Sequence, residues 1–444
     1  MNPQTQPAMN PQTQPAMNPQ TQPATKKPLK SLLAASSGNL VEWYDFYTYA
    51  FLAPYFAKEF THTNDPTLAL ISAFLVFMLG FFMRPLGSLF FGKLGDKKGR
   101  KTSMVYSIIL MALGSFLLAL LPTKEIVGEW AFLFLLLARL LQGFSVGGEY
   151  GVVATYLSEL GKNGKKGFYG SFQYVTLVGG QLLAIFSLFI VENIYTHEQI
   201  SAFAWRYLFA LGGILALLSL FLRNIMEETM DSQTTSKTTI KEETQRGSLK
   251  ELLNHKKALM IVFGLTMGGS LCFYTFTVYL KIFLTNSSSF SPKESSFIML
   301  LALSYFILLQ PLCGMLADKI KRTQMLMVFA IAGLIVTPVV FYGIKHVSGV
   351  YEALFYEVLA LSAMSFYTCI AGVVKAELFP EHVRALGVGL AYAIANALFG
   401  GSASYIALQF KQHGFEWGFV GYVMFSIVIF MVMVIIFPKK TYLE

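Results

Sequence analysis

Long apolar runs constrain this chain more than any other feature of its sequence. Crossing about 30 Å of hydrocarbon takes about 20 apolar residues in a helix, and only helices or closed barrels satisfy their backbone hydrogen bonds there. The sequence therefore predicts an all-α membrane protein with twelve transmembrane helices. The predicted spans are Leu32–Phe56, Leu68–Phe91, Ser103–Leu121, Trp130–Leu157, Phe168–Val191, Phe203–Met226, Ala258–Leu284, Ser296–Leu316, Gln324–Tyr342, Tyr351–Val374, Ala385–Phe410 and Trp417–Phe437.

Composition and the placement of charge agree with a membrane protein. Of the 444 residues, 55% are hydrophobic and only 13% are charged. If the N-terminus is cytosolic, 25 of the 34 Lys and Arg lie in cytosolic segments or at cytosolic helix ends, six lie outside and three lie inside helices. This positive-inside bias, and not nucleic acid, accounts for the net charge of +9. It predicts a multi-pass protein of the cytoplasmic (inner) membrane, surrounded by lipid, with both termini cytosolic.

Polar segments and an internal repeat divide the chain into two halves. The motif GKLGDKKGR at Gly92–Arg100 recurs as GMLADKIKR at Gly314–Arg322, each time between the second and third helix of a half. Duplicated six-helix halves are typical of alternating-access transporters. The predicted organisation is a disordered cytosolic tail of MNPQTQPA repeats (1–30), an N-terminal half (31–226), a cytosolic linker (227–256), a C-terminal half (257–438) and a short cytosolic tail (439–444).

Arg84 is a permanently charged residue within the second predicted helix, roughly 12 Å from its cytosolic end at 1.5 Å per residue. A charge at the centre of a membrane helix costs on the order of 2.5 to 3.5 kcal/mol on insertion scales, so something must compensate it. One interpretation is a fixed pairing with an acidic residue of a neighbouring helix. The other is a substrate carboxylate, which the planar guanidinium binds through paired hydrogen bonds.

Arg139 and Asp45 both lie near the middle of predicted helices and are natural partners. If substrate draws Arg139 away, the buried Asp45 is expected to take up a proton. A salt bridge that only joins two helices is the alternative interpretation. Glu42 and Glu149 are competing proton carriers, and all six histidines lie in loops or at helix ends.

Several polar side chains are candidates to line a central cavity, although each also suits packing or an interhelical hydrogen bond. They are Tyr44, Gln142, Gln173, Tyr174, Tyr274, Tyr367 and Asn396. Lys375 lies near the cytosolic end of the tenth predicted helix, which favours a snorkelling lysine.

The loop after the second helix is predicted to act as a gate. A helix N-terminus or an arginine on a neighbouring helix is expected to hold Asp96, which would lock one end of the bundle. A basic loop that only sets topology is the alternative. The predicted gating residues are Gly92, Asp96, Gly99 and Arg100, with Asp318 and Arg322 in the second copy.

The motif G-x-L-[GA]-D-[KR]-x-G-R resembles the signature of the major facilitator superfamily. Within that superfamily, EWYDFY (Glu42–Tyr47), RPLG (Arg84–Gly87), ARLLQGFSVGGEYG (Ala138–Gly151) and ELFPEHVRALG (Glu377–Gly387) resemble the metabolite:proton symporters. The resemblance implies proton-coupled uptake of a small anionic metabolite, 2-oxoglutarate or a similar dicarboxylate. Citrate, shikimate and proline or betaine are alternative substrates. It also makes Arg206 a candidate second anion-binding charge, against an interfacial position beside Trp205.

Other functional classes lack their sequence signals. No G-x-x-x-x-G-K-[ST] phosphate loop occurs, so an ATP-driven pump is excluded, and no catalytic cluster indicates an enzyme. The three cysteines lie in apolar runs without paired spacing, which indicates neither a disulfide framework nor a metal site. We expect a monomer without a cofactor.

Overall fold

The computed structural model describes residues 28–98, 100–147, 149–161, 164–227 and 249–438, and these residues are almost entirely helical, without a strand. Within them, nine helices are long and apolar enough to cross a membrane, and two shorter apolar helices, Val105–Leu120 and Trp130–Ser145, accompany them. Each predicted span falls on largely helical residues. The prediction of an all-α membrane protein is confirmed. The N-terminal repeat, most of the linker and the C-terminal tail lie outside the described residues.

The main helices of the N-terminal half follow the predicted spans, with one difference. The fourth span is interrupted by a turn at Val146 and Gly147, so two helices replace the single predicted one. The helices are α1 (Pro28–Phe56), α2 (Pro66–Lys98), α3 (Arg100–Leu120), α4 (Trp130–Ser145), α5 (Glu149–Leu160), α6 (Lys166–Ile194) and α7 (Trp205–Glu227).

Three predicted spans of the C-terminal half are interrupted. A turn divides the tenth span, and π-helical turns at Thr275–Tyr279 and Asn396–Gly400 interrupt the seventh and eleventh. Such π-turns are frequent at functional sites. The helices are α8 (Lys256–Tyr274), α9 (Leu280–Asn286), α10 (Pro292–Ala317), α11 (Arg322–His346), α12 (Val350–Thr368), α13 (Ala371–Ala376), α14 (Arg384–Ala395), α15 (Ala403–Gln412) and α16 (Glu416–Ile435).

Glycines let α2 and α4 pack backbone against backbone. A Cβ atom on Gly143 would lie 1.9 Å from the carbonyl oxygen of Gly80, so any larger residue would force the two helices apart. Small residues allow such close approach in membrane helices, where van der Waals packing drives association. Along this contact Gly80 lies against Arg139 and the backbone of Arg84 lies against Gly147.

The two halves meet along their full length. Helix α6 packs along α10, α15 packs against α2, and α5 packs against α13 and α14. At the predicted cytosolic end, a Cβ atom on Gly167 would lie 2.4 Å from the carbonyl oxygen of Gly314. The backbones of the two halves therefore come into close contact where these two glycines meet.

Polar contacts join the halves at both ends of the bundle. At the predicted cytosolic end, Gly167 and Phe168 donate their backbone N–H groups to the Asp318 carboxylate, at 2.6 and 3.1 Å. At the opposite end, Glu192 of α6 accepts hydrogen bonds from Tyr55 (2.6 Å) and from Ser296 of α10 (2.9 Å). The Nζ atom of Lys281 lies 4.0 Å from the same Glu192 oxygen. The bundle is closed on both sides of its centre.

Asp318 caps the N-terminus of α6 from the other half, so we expect Asp318→Ala to weaken closure at the predicted cytosolic end. Loss of a helix cap costs about 1 kcal/mol, which shifts an open–closed equilibrium about fivefold. Ser171 is the reporter position, because it is buried beside Gly314. A Ser171→Cys background should react severalfold faster with a water-soluble maleimide when Asp318→Ala is added.

Asp318→Asn is the matched control, because its amide oxygen still accepts a hydrogen bond and asparagine caps about as well as aspartate. It should label close to the parent rate. Equal labelling rates in all three proteins would show that the cap does not hold this end closed. The native cysteines are buried and contribute little background.

Candidate functional site

Arg84 lies buried at the centre of the bundle in a cage of aromatic rings. Its guanidinium carbon is 4.8, 4.1 and 4.2 Å from the ring centroids of Trp43, Phe46 and Phe81. Its Nε and Nη2 atoms have no hydrogen-bond partner, and it forms no ion pair, among the described residues. The fixed acidic partner that one interpretation required is therefore not found. Two buried donors remain for a bound acceptor.

Arg139 is fully buried and faces the same aromatic ring as Arg84. It donates from Nη1 to Gln142 Oε1 (2.8 Å) and from Nη2 to the carbonyl oxygen of Phe46 (3.2 Å). Its guanidinium carbon lies 4.0 Å from the centroid of the Phe46 ring. Two guanidinium groups thus pack on one phenylalanine in a low-dielectric interior, where their repulsion is weakly screened.

Asp45 joins this network through Gln142. Gln142 donates from Nε2 to Asp45 Oδ2 and to Ser115 Oγ, the latter at 3.2 Å, while Oδ1 of Asp45 has no partner among the described residues. The expected direct pairing of Asp45 with Arg139 is not present. An amide offers both a donor and an acceptor, so Gln142 bonds the carboxylate with one end and the guanidinium with the other.

Three other acidic residues are candidates for the proton carrier. Glu42 is buried one turn before Asp45 on α1, and the side chain of Glu149 lies outside the described part of the chain. Glu357 of α12, which the sequence analysis did not single out, is fully buried, and neither of its oxygens has a partner among the described residues. The reasoning used for Arg84, a charged residue within an apolar span, also applies to Glu357.

Unpartnered polar groups of the C-terminal half lie next to the Arg84 cage. The ring of Tyr274 packs edge-on against Phe81 at 5.5 Å and lies 6.1 Å from the ring of Tyr47. Asn396 adjoins Tyr274, because a Cβ atom on Gly400 would meet both side chains within 2.8 Å. The hydroxyls of Tyr47 and Tyr274 and the amide of Asn396 are buried near one another, and none of them makes a hydrogen bond of ordinary length and angle among the described residues. These groups supply donors and acceptors from both halves.

Some of the other predicted cavity residues have packing roles, and others keep unpartnered polar atoms among the described residues. Tyr44 donates its hydroxyl to the carbonyl oxygen of Leu208 (3.1 Å), which is a packing role within the N-terminal half. Gln173 donates to the carbonyl oxygen of Tyr150 (3.2 Å) and keeps Oε1 unpartnered. Tyr174 packs edge-on against Phe273 of α8 at 5.5 Å. Tyr367 is buried with an unpartnered hydroxyl.

Arg206 does not join the central arginines. Its two amino groups donate to the carbonyl oxygens of Ala202 (3.1 Å) and Leu121 (2.9 Å), and its guanidinium carbon lies 4.3 Å from the Trp205 ring. It also lies near Glu59. Burial and the charge of Glu125 raise the pKa of the Glu59 carboxyl group, and the charges of Lys124 and Arg206 oppose that rise. The structure places Arg206 at the end opposite the gating loop, in the interfacial position beside Trp205.

The structure contradicts the predicted snorkelling position of Lys375. A snorkelling lysine would reach water, but Lys375 is only 1% exposed. Its Nζ atom donates to Tyr150 Oη (3.3 Å) and lies 4.8 Å from the ring centroid of Tyr392. Closeness to a helix end in sequence does not place a side chain at the surface when helices of the other half cover that end.

Only part of the predicted gate lies within the described residues. Gly99 and the side chains of Asp96 and Arg100 lie outside the described part of the structure, and Gly92 belongs to α2. In the second copy, Asp318 caps α6 as described above, and Arg322 donates to the carboxylate of Glu377 within its own half. The second-copy aspartate is thus held by a helix N-terminus, the kind of contact expected for Asp96.

Two buried guanidinium groups, one carboxylate and a set of unpartnered hydroxyls and amides can bind an anion and a proton. No cluster of potential metal ligands occurs among the described residues.

Comparison with known proteins identifies close relatives. Residues 35–404 match the model of the Major Facilitator Superfamily. The chain is 46% identical to the alpha-ketoglutarate permease of Escherichia coli K12 over 417 residues, which is 94% of this chain and 95% of the permease. It is 30% identical to the citrate-proton symporter of Klebsiella pneumoniae (86% and 85% covered) and 29% identical to the proline/betaine transporter of Escherichia coli K12 (82% and 74% covered).

Solved structures show the same fold. The partially occluded, inward-open xylose transporter XylE from Escherichia coli superposes with a TM-score of 0.71 at 16% identity, covering 92% of this chain and 97% of that protein. At this identity the likeness concerns the fold alone.

The bridging role of Gln142 predicts a large loss of stability in Gln142→Leu. The variant leaves Asp45 and one amino group of Arg139 buried without this partner, and an unsatisfied charged group costs about 3 kcal/mol. Gln310→Leu is the matched control, because Gln310 is an equally buried glutamine whose side chain, within the described ranges, bonds to the neutral hydroxyls of Ser365 and Thr368.

We expect the thermal unfolding midpoint of purified Gln142→Leu in detergent to fall clearly below that of Gln310→Leu. Equal midpoints for the two variants would contradict a charged network held by Gln142.

Proposed function

Because the chain belongs to the Major Facilitator Superfamily, we propose that it is a proton-coupled symporter that takes up 2-oxoglutarate or a similar dicarboxylate by alternating access. One observation carries the proposal: Arg84 and Arg139 pack on the Phe46 ring, and Arg84 keeps two buried donors unpartnered among the described residues. A dianion neutralises such a centre. A zwitterion such as proline or betaine brings an ammonium group that the same centre repels.

The named relatives support this substrate class. The relative with 46% identity is an alpha-ketoglutarate permease, and a citrate-proton symporter matches at 30%. Both names refer to substrates with two or more carboxylates, and the proline/betaine transporters, whose substrates carry one, match at 29% to 30%, well below the permease. Citrate is the second candidate substrate on these grounds.

Coupling to protons follows from the arrangement of Asp45. Its carboxylate is bridged to Arg139 by Gln142 and so offsets part of the positive charge at the centre. Protonation of Asp45 would remove that offset and strengthen the attraction for an anion. By linkage, a bound anion favours the proton to the same extent, so substrate and proton bind together. Glu42 and Glu357 are the alternative proton sites.

Alternating access would use the contacts at the two ends. Rocking of the N-terminal half (31–226) against the C-terminal half (257–438) opens one end while the other stays closed. The Asp318 cap would hold the predicted cytosolic end, and the contacts of Glu192 with Ser296 and Lys281 would hold the outer end. The protein would work as a monomer in the cytoplasmic membrane, with both termini in the cytosol.

The substrate assignment is tested in proteoliposomes with an imposed pH gradient. Labelled 2-oxoglutarate should accumulate, and excess unlabelled 2-oxoglutarate should compete more strongly than citrate, while shikimate and proline compete weakly. Arg84→Lys keeps the charge but loses the paired hydrogen bonds, so its affinity for 2-oxoglutarate should fall about tenfold or more, and Arg84→Ala should be worse.

Arg206→Lys is the control for the charge-conserving change, because Arg206 lies away from the centre, and it should keep near-normal affinity. Near-normal affinity of Arg84→Lys would remove Arg84 from the binding site. Competition by proline alone would overturn the substrate class.

The coupling assignment is tested by Asp45→Asn, which keeps the shape and the hydrogen bond from Gln142 but binds no proton. Accumulation against a gradient should be lost, while counterflow in preloaded vesicles should survive, because exchange needs only alternating access with substrate bound. The affinity of wild-type protein for 2-oxoglutarate should fall as pH rises and Asp45 loses its proton, whereas that of Asp45→Asn should not.

A purely structural role for Asp45 predicts a different pattern, in which unfolding and loss of counterflow accompany the loss of accumulation. Accumulation at the wild-type level would show that Asp45 is not the proton carrier and would make Glu42 or Glu357 the better candidate.

A further inference from the structure

Lys375 is a further buried cation, and it is contributed by the C-terminal half. It forms no ion pair with a carboxylate among the described residues, and it is 1% exposed. Taking an ammonium group out of water is costly unless a partner compensates it. A single hydrogen bond of 3.3 Å to Tyr150 Oη is a weak compensation for that charge.

A box of tyrosines surrounds the Lys375 ammonium group. The rings of Tyr150, Tyr367 and Tyr392 have their centroids 5.3, 5.5 and 4.8 Å from Nζ. Tyr150 belongs to the N-terminal half, and its ring stacks on Tyr392 of the C-terminal half with centroids 3.5 Å apart. Cation–π contacts favour the charge in this box but leave its remaining N–H donors without an acceptor.

Unpartnered polar groups lie between this box and the Arg84 cage. Tyr274 packs against Phe81 of the Arg84 cage, Tyr392 contacts Lys375, and Tyr392 lies one helical turn before Asn396. Asn396 adjoins Tyr274, and the hydroxyl of Tyr367, a wall of the Lys375 box, has no partner among the described residues. A chain of neighbouring tyrosine and amide groups therefore links the two cations, one cation from each half.

On the basis of the proposed function, we infer that Lys375 binds the second carboxylate of the substrate while Arg84 binds the first. A short dicarboxylate then bridges the two halves, and the tyrosine hydroxyls and Asn396 bond its polar atoms in between. Recognition at both ends selects a dianion over a monocarboxylate of the same length. It also makes closure of the halves depend on substrate, because each half supplies one of the two charges.

The test compares 2-oxoglutarate with 2-oxopentanoate, which has the same chain length and keto group but lacks the second carboxylate. The probe is the ratio of their dissociation constants on the purified full-length protein. Wild-type protein should prefer 2-oxoglutarate strongly. In Lys375→Gln and Lys375→Met the affinity for 2-oxoglutarate should fall about tenfold to a hundredfold, while that for 2-oxopentanoate stays within about twofold.

Lys411→Gln is the matched control, because this lysine lies at the opposite end, where it donates to Ser287 Oγ at 2.8 Å, and its variant should keep the wild-type ratio. Lys375→Arg retains the positive charge and should keep a preference for 2-oxoglutarate. Without ligand, the two uncharged variants should unfold at or above the wild-type temperature, because each removes a buried charge.

If Lys375 has only a structural role, the measurements give other results, and each of these overturns the inference. An unchanged ratio in Lys375→Gln or Lys375→Met would show that Lys375 does not bind the second carboxylate. Failure of both variants to fold would show that the charge serves the fold. If wild-type protein binds neither keto acid, the proposed function fails first, which is distinct from a wild-type preference that survives the loss of Lys375.

Discussion

The placement of two guanidinium groups on one phenylalanine ring, inside an apolar bundle, is the constraint on which the rest of the structure depends. Arg84 and Arg139 repel each other across Phe46, and neither forms an ion pair with an acid among the described residues. A membrane interior does not tolerate such a centre without compensation. Gln142 and the Phe46 carbonyl group satisfy Arg139 in part, and Arg84 is left for an anion. The proposed anion binding at Arg84 and the proposed coupling through Asp45 both rest on this imbalance.

The interface between the halves uses two kinds of contact with different physical properties. Glycines such as Gly167 and Gly314 permit close backbone contact without chemical specificity, so they contribute van der Waals packing that forms and breaks easily. The polar contacts of Asp318 and Glu192 add direction at the two ends. Such an interface suits a protein that must open each end in turn, because no single contact holds the halves permanently.

Particular residues show how far sequence reasoning reached. Arg84 was predicted as a buried, functional charge from its position in an apolar span, and its burial is confirmed. The pairing of Asp45 with Arg139 was inferred from depth alone, and Gln142 lies between them, because depth along a helix does not specify which side chains face each other. Lys375 was expected to reach water, yet the tyrosines of both halves enclose it. Glu357 was overlooked although its signal, an acid within an apolar span, was present.

The sequence by itself determined the all-α membrane architecture, because apolar runs long enough to cross a bilayer leave the backbone few alternatives to helix. It also predicts the duplicated organisation and carries the family resemblance, since both reside in motifs that are local in the chain. Only the tertiary structure decided which charges meet. Arg206 pairs with carbonyl groups at one end while Arg84 and Lys375 lie buried in aromatic surroundings, and this difference depends on helix rotation and on which half covers which end. Helix rotation and the covering of each end arise from packing between residues far apart in sequence. The apolar pattern of a single helix hardly specifies them.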